Sequence, residues 1–454
     1  MAQGTRDLTS GPVWRGLAVM TGPMMLGILA TILTGLTDAF FLGRLGGAPL
    51  AAVGFIYPVT MAITSLSIGL SAGANAAVSQ AIGRRDDETA TARVGLHAVL
   101  YGTALATLVT LVFWIGHRWL FGLLGAGDDV LPEISAYLPW WCLSFPFVVA
   151  MMLSNALFRA HGNAKVAMVV MTTVAILNIA LTPALIFGVW IIPALETAGA
   201  GMATFIARAL GGVVALWWAF RQGLLSLSCN PWKDMWYSAR VLAEVGAPAA
   251  FSNAINPAGM AAVTAAVAVV SEAAVGGFGA ATRIQSLALV PLLALSAGIG
   301  PVVGQNWGAG RQDRAARGFQ AAAAFCIGYG LLVGAVLFTF AGQLGPLVAG
   351  GSEPGEFAAT YLRVVGLSLF GYGILVVANA AMNARSRALW SMGLSLGRIF
   401  LIYIPGAWLG VTLADYLGIT IAAALANVAA AAAAVWAAWM VGLLRPGTLR
   451  KTFD

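Results

Sequence analysis

Charge is what this sequence has least of. Asp, Glu, Lys and Arg supply 9% of its 454 residues, against about 25% in ordinary soluble domains. Lysine occurs only at Lys165, Lys233 and Lys451. None of these stands in a Gly-Lys-Ser/Thr phosphate loop, and no connection is long enough for a nucleotide-binding domain, so ATP-driven work by this chain alone is not expected. Cysteine is just as scarce. Cys142, Cys229 and Cys326 are odd in number and scattered, which argues against a disulfide framework and against a metal site. His97, His117 and His161 are isolated, without the spacing of zinc ligands or of a nucleophile triad, so an enzyme is not expected. A carbonyl filter such as Thr-Val-Gly-Tyr-Gly is missing, as are the short alternating segments of a strand barrel. Met1 to Ser10 is polar and carries no cleavable signal, and the first apolar run already has spanning length.

What is present is apolar. Hydrophobic residues make up 60% of the chain, and its mean hydropathy is +0.88. A water-soluble chain cannot hide that much apolar surface, whereas a bilayer core of about 30 Å accepts it in helices of about 20 residues. Twelve such runs are read, near 15–42, 49–82, 94–119, 131–158, 164–190, 197–220, 241–270, 277–307, 317–341, 357–383, 388–413 and 417–444. The fold class is an all-α polytopic membrane protein. The formal net charge of +7 follows topology. Arg6, Arg15, Arg84, Arg85, Arg93, Arg159, Lys165, Arg221, Lys233, Arg240, Arg311, Arg314, Arg317, Arg385, Arg387, Arg445, Arg450 and Lys451 fall on one set of alternate connections. The other set holds Arg44 and Arg118 among mostly acidic residues such as Asp128, Glu133, Glu196 and Asp415. This positive-inside bias places both termini in the cytoplasm, without a patch for nucleic acid.

The chain also repeats itself. Leu70, Ser71, Ala72, Gly73, Val78, Gln80 and Gly83 return as Leu295, Ser296, Ala297, Gly298, Val303, Gln305 and Gly308, a displacement of 225 (305 − 80). Asn155 in Ser-Asn-Ala returns as Asn379 in Ala-Asn-Ala, displaced by 224 (379 − 155). Two matches at nearly one displacement point to duplication. The expected domains are an N-lobe of six helices over 1–220, an interfacial cytoplasmic connection over 221–240, and a C-lobe of six helices over 241–454. Both lobes start on the same side, so they are parallel repeats related by a pseudo-two-fold axis along the membrane normal. The 55 glycines and the alanine runs read as close helix packing.

One acid stands inside the first run, Asp38. Thr34 and Thr31 lie one and two turns back on its face. An intramembrane charge costs about 2.5–3.5 kcal/mol on insertion scales and is usually kept for function. With the helix starting near Arg15, Asp38 lies about 35 Å along it at 1.5 Å per residue, towards the outer end. Neighbouring helices rather than bilayer depth must then bury it. The alternative is an interfacial acid paired with Arg44 or water. Pro23, after Gly22, interrupts the same helix either as a static kink or as a moving hinge.

Thr37-Asp-Ala-Phe-Phe-Leu-Gly-Arg-Leu-Gly46, the ending Gln80-Ala-Ile-Gly83, Asn155-Ala-Leu-Phe-Arg-Ala-His-Gly-Asn163 and Leu177-Asn-Ile-Ala-Leu-Thr-Pro-Ala-Leu-Ile-Phe-Gly188 resemble the multidrug and toxic compound extrusion (MATE) transporters, as do Ala281-Thr-Arg-Ile-Gln285 and Gly304-Gln-Asn-Trp-Gly308. The resemblance runs from about Gly16 to Leu444 and is strongest to the DinF-like branch. It implies antiport, in which an organic cation or similar amphiphile leaves as protons, or less favourably sodium ions, enter. It also implies a coupling site of Asp38, Asn178 and Thr204. The branch carries a second Asp where this chain has Thr182, and the acid that another branch carries on its seventh helix aligns with Asn256. A sodium ion would then find one negative ligand, whereas a proton needs only Asp38. Polar candidates for the substrate cavity are Asn155, Asn253, Asn256, Gln285 and Asn379, with Met382 as a soft lining residue. No cofactor is implied beyond the coupling ion. The partners expected are amphiphilic small molecules and the bilayer of a bacterial inner membrane, and the working unit a monomer. Two alternatives stand beside antiport. A flippase for a lipid-linked substrate would need its intramembrane Arg208, Arg283, Arg363 and Arg398 clustered, and a non-transporting receptor or enzyme subunit would need no cavity at all.

Overall fold

The computed structural model describes residues 6–189, 193–226 and 232–444. Cys229, Arg445, Arg450 and Lys451, with part of the 221–240 connection, lie outside the described residues. The first half is six long helices: α1 (Val13–Leu45), α2 (Gly47–Arg84), α3 (Glu88–Leu123), α4 (Leu131–Ala160), α5 (Ala164–Phe187) and α6 (Glu196–Arg221). The second half starts with α7 (Met235–Ala268) and continues with α8 (Glu272–Ala288), α9 (Val290–Gly308), α10 (Gln312–Ala349), α11 (Ser352–Gly366) and α12 (Leu369–Ala384). It ends in α13 (Ala388–Leu396), a π-helical turn (Gly397–Tyr403) and α14 (Ile404–Met440).

Among the described residues eight helices are long and apolar enough to cross a membrane, ten spans with two bent pairs, and the turn inside Ala388–Met440 together with the 34-residue α7 brings the number to twelve. α8 with α9 and α11 with α12 are broken spans, bent by 45° and 58°. The 53-residue stretch Ala388–Met440 would reach about 80 Å if straight, far beyond a bilayer core of about 30 Å. It turns at Ala414 and at Asp415, whose φ of 49° is left-handed, and so makes two spans. Within the described residues each of the twelve apolar runs is mainly helical. α7 starts at Met235, six residues before the expected start of that span at 241, because its approach is anchored to α3. Arg93 pairs with Asp234 at 2.9 Å, and the Tyr101 hydroxyl donates to the Met235 carbonyl at 2.8 Å. Trp232, Trp236 and Tyr237 are exposed there, as a headgroup-level segment requires.

The chain divides into two compact units, 1–7 with 22–250 and 8–21 with 251–454, and the boundaries at 21/22 and 250/251 fall inside α1 and α7. The first turns of α1 therefore belong with the second half, and the first turns of α7 with the first half. The duplicated glycines account for both. A Cβ on Gly73 would lie 2.5 Å from the Leu242 carbonyl oxygen of α7, and one on Gly298 would lie 2.9 Å from Thr21 Oγ1 of α1. Only glycine permits the backbone approach at Gly73, and at Gly298 a Cβ would press on the Thr21 side chain. Gln305, from the same motif, accepts from the Leu8 amide at 2.9 Å, and Asn306 Nδ2 donates to the Leu8 carbonyl at 3.0 Å. The two repeated glycines thus sit where the first helix of one half meets the second helix of the other, and Gln305 holds the segment just before α1.

In the first unit α4 is the most deeply packed helix, against α2, α3, α5 and α6, with Trp141 stacked on Phe145 at 5.2 Å. In the second unit the bent pair α11–α12 holds the same place, packed against α8, α9, α10 and α14.

Candidate coupling site

The site is built on α1, α5 and α6. Asp38 lies in the last two turns of α1 and is half-buried. It accepts a hydrogen bond at 3.0 Å from Thr182 Oγ1 of α5. The same Thr182 oxygen, fully buried, lies 3.4 Å from Asn178 Oδ1, one turn back on the same face of α5. Asn178 Nδ2 donates to Thr204 Oγ1 of α6 at 3.3 Å, and Thr204 donates to the Ala200 carbonyl at 3.0 Å. Asp38, Thr182, Asn178 and Thr204 therefore form one continuous run of hydrogen-bonding groups. α6 comes close enough because residue 199 is glycine: a Cβ there would lie 2.6 Å from the Leu185 carbonyl carbon of α5.

One cation shares this environment. Arg208 stands one turn after Thr204, and its Nη1 donates to Ser144 Oγ of α4 at 3.2 Å. Its guanidinium lies within electrostatic reach of Asp38 and of the Tyr137 hydroxyl on α4. Arg44 points elsewhere, with Cζ 4.6 Å above the Phe40 ring. Among the described residues no ion pair joins it to Asp38.

The other expected residues divide. Thr31 and Thr34 return their hydroxyls to their own helix, at the Gly27 and Ala30 carbonyls (3.0 and 3.1 Å), and do not join the run. Pro23 is half-buried inside a continuous α1, one residue beyond the point where that helix passes from one unit to the other. In the second unit Asn379 Nδ2 donates to Ser395 Oγ at 3.0 Å, and Ser252 Oγ reaches the same Ser395 at 2.7 Å. Asn256 Nδ2 contacts the Ser252 carbonyl at 3.5 Å. Gln285 lies apart from them and accepts from the Tyr361 hydroxyl at 2.9 Å. Asn253 is half-buried. Met382 is fully buried and packs in the interior. In the first unit Asn155 is buried, with Oδ1 unbonded among the described residues. The intramembrane arginines do not cluster: Arg208 belongs to the first unit, Arg283 and Arg363 are exposed in the second, and Arg398 bonds Asn427 there. Sequence reasoning missed Arg208 as a cation within electrostatic reach of Asp38. Its spacing of four from Thr204 on one helix was the available signal. Tyr137 gave none.

Twelve spans in duplicated halves, with a lone acid hydrogen-bonded between helices of one lobe, define a polytopic secondary transporter. The chain belongs to the MATE family. The MatE family model matches residues 23–184 and again 248–409, a displacement of 225 at both ends. A FAD transporter from Shewanella oneidensis is 32% identical over 93% of each chain. The crystal structure of the Vibrio cholerae MATE transporter VcmN in the bent form superposes with TM-score 0.88 at 29% identity, covering 94% of this chain and 96% of that one. A probable multidrug resistance protein NorM from Idiomarina loihiensis is 25% identical over 89% of this chain and 86% of its own length. The protein is an integral membrane transporter of the two-lobe, multidrug-efflux type, and not an enzyme.

Proposed function

We propose that this protein is a proton-coupled antiporter of the DinF-like branch. It exports amphiphilic organic compounds, cations among them, from a bacterial cytoplasm, with both termini on the cytoplasmic side. Asp38 is the coupling residue. The observation that carries this reading is the position of Thr182, whose single hydroxyl proton faces two acceptors, Asp38 at 3.0 Å and Asn178 Oδ1 at 3.4 Å. An ionised Asp38 takes that hydrogen bond. A protonated Asp38 becomes the donor to Thr182, which then turns its own proton to Asn178. Asn178 already donates to Thr204, and Thr204 to Ala200, so protonation aligns every donor along α1, α5 and α6 in one direction. Aligned chains of this kind reinforce one another in a low-dielectric interior. Proton uptake thus changes how α1 is held to α5. The change acts above Pro23, which we read as the hinge.

A proton suits this site better than sodium, because Asn178, Thr182 and Thr204 add only neutral oxygens to one carboxylate. The 32% identity to a protein named FAD transporter makes a flavin dinucleotide a second substrate to consider. The test is efflux of a cationic dye from vesicles, with pH and sodium gradients imposed separately. Efflux driven by the pH gradient and abolished in Asp38→Asn is expected. Full pH-driven efflux in Asp38→Asn overturns the role given to Asp38, and efflux that only sodium drives overturns the choice of ion.

A further inference from the structure

The internal repeat places a second cluster where the coupling site has its counterpart. By the displacement of 225, Asp38, Asn178 and Thr182 correspond to Val263, Tyr403 and Ala407. By the displacement of 224 that relates Asn155 to Asn379, Tyr137 corresponds to Tyr361. All four counterparts lie in one buried cluster of the second unit. The acid has become valine, the hydroxyl alanine and the amide a tyrosine. A cation has come in instead. Arg398 lies ten residues into its span from Ala388, about 15 Å or half the bilayer core. Its Cζ is 5.1 Å from the Tyr372 ring centroid and 5.7 Å from that of Tyr403, within the range of cation–π attraction.

Among the described residues no carboxylate pairs with Arg398. Its Nε and Nη2 both donate to Asn427 Oδ1, at 3.2 and 3.0 Å, and Asn427 is itself fixed by donating to Ser368 Oγ at 2.9 Å. A guanidinium has five N–H donors in a planar fork, so three stay unspent on a side chain that is only half-buried. The backbone that carries it is the π-helical turn Gly397–Tyr403, a rare geometry found most often at functional sites. Arg398 and Tyr403 stand five residues apart on that turn, which sets the ring beside the guanidinium. An intramembrane charge kept without a counter-charge, aimed by a rigid amide, backed by the buried Tyr403 and bordered by the half-buried ring of Tyr372, is arranged to receive an anion that carries a flat ring.

We propose that Arg398, with Tyr372 and Tyr403, forms an anion subsite of the second unit that takes the phosphate of a flat aromatic phosphate ester, a substrate of the nucleotide class. This rests on the reading of the chain as an exporter of amphiphiles and assigns the opposite charge preference to the opposite lobe. Asp38 holds the coupling proton, and Arg398 holds the substrate's phosphate.

The test compares two fluorescent probes that share a ring and differ by one phosphate, flavin mononucleotide and riboflavin. Binding is measured to the full chain in nanodiscs of phosphatidylcholine. The wild type is expected to prefer the phosphorylated probe by about tenfold or more, as for a charge-assisted, forked contact. Arg398→Gln brings the ratio to about one, and Arg398→Lys keeps much of it. The ratio is read against riboflavin in the same sample, so loss of folded protein cannot imitate the result. Salt dependence in the wild type gives a second readout that needs no variant. A wild type without preference, or a ratio unchanged in Arg398→Gln, overturns the subsite. So does loss of phosphorylated-probe binding on adding phosphatidylglycerol, which would make a lipid headgroup the occupant. These outcomes leave pH-driven dye efflux untouched, whereas failure of that efflux removes the antiporter reading and leaves the binding ratio standing.

Discussion

Thr182 is the position where this protein's site can be rebuilt with one substitution. Thr182 Oγ1 lies 3.0 Å from Asp38 Oδ1, so a carboxylate introduced by Thr182→Asp stands within about 4 Å of Asp38. Two like charges at that separation repel by about 4 kcal/mol at an effective dielectric constant of 20, close to three decades in a binding constant. The pair therefore holds a proton or a cation between its carboxylates whenever both would otherwise be charged. On the proposed mechanism a single acid imports one proton per cycle as a monovalent cation leaves, and no net charge crosses. With two, each cycle imports a second positive charge. Net movement of one charge responds to membrane potential by about 2.3 kcal/mol per 100 mV, and a wild-type cycle responds not at all. A gradient of one pH unit supplies about 1.4 kcal/mol per proton, so the limiting gradient of a cationic dye is about tenfold in the wild type and about a hundredfold in the variant. The assay is dye accumulation in proteoliposomes with the pH gradient and a potassium diffusion potential set independently. A Thr182→Asp protein that accumulates dye no further than wild type, insensitive both to potential and to sodium, refutes the one-acid account of the site.

Other outcomes follow from the packing and from the second lobe. Gly73→Leu and Gly298→Leu each drive a side chain into the facing helix, and each should lower stability by about 1–3 kcal/mol, read as a drop in melting temperature in detergent. Asn427→Ala leaves the Arg398 guanidinium without its amide acceptor, while Ser368 keeps its bond to the Val365 carbonyl at 2.8 Å, and should cost about 1–3 kcal/mol in the same measurement. Pro23→Ala restores the backbone donor that proline withholds from α1. Turnover should fall severalfold while melting temperature holds or rises, and unchanged turnover would show that the helix does not bend there. A phosphorylated aromatic substrate carrying one net negative charge should respond to potential where a cationic dye does not, because its exit and proton entry move two positive charges inward, about 4.6 kcal/mol per 100 mV.

Much of this architecture was legible in the sequence because a bilayer leaves few options. Apolar runs near 20 residues must be helices, and arginines on alternate connections must count them. The turn at Ala414 and Asp415 was readable as the gap between two such runs. The repeat was readable too, since Gly73 recurs as Gly298 and both stand at a close contact between helices. The run from Asp38 to Thr204 could be assembled only through resemblance, because its members are separated by long stretches of chain. Arg208 lay open to inspection four residues after Thr204, but composition presents it only as one of several intramembrane arginines. The cluster at Arg398 was hidden for a different reason. Its meaning depends on a π-helical turn, and no local pattern of apolar residues announces one.

The central claim is that binding of substrate and of a proton compete through Asp38. Proton release from purified protein on adding a cationic substrate, followed with a pH indicator in weakly buffered solution, measures that competition with no gradient and no vesicle. The account predicts about one proton released per protein in the wild type and none in Asp38→Asn. Full release from Asp38→Asn would contradict it.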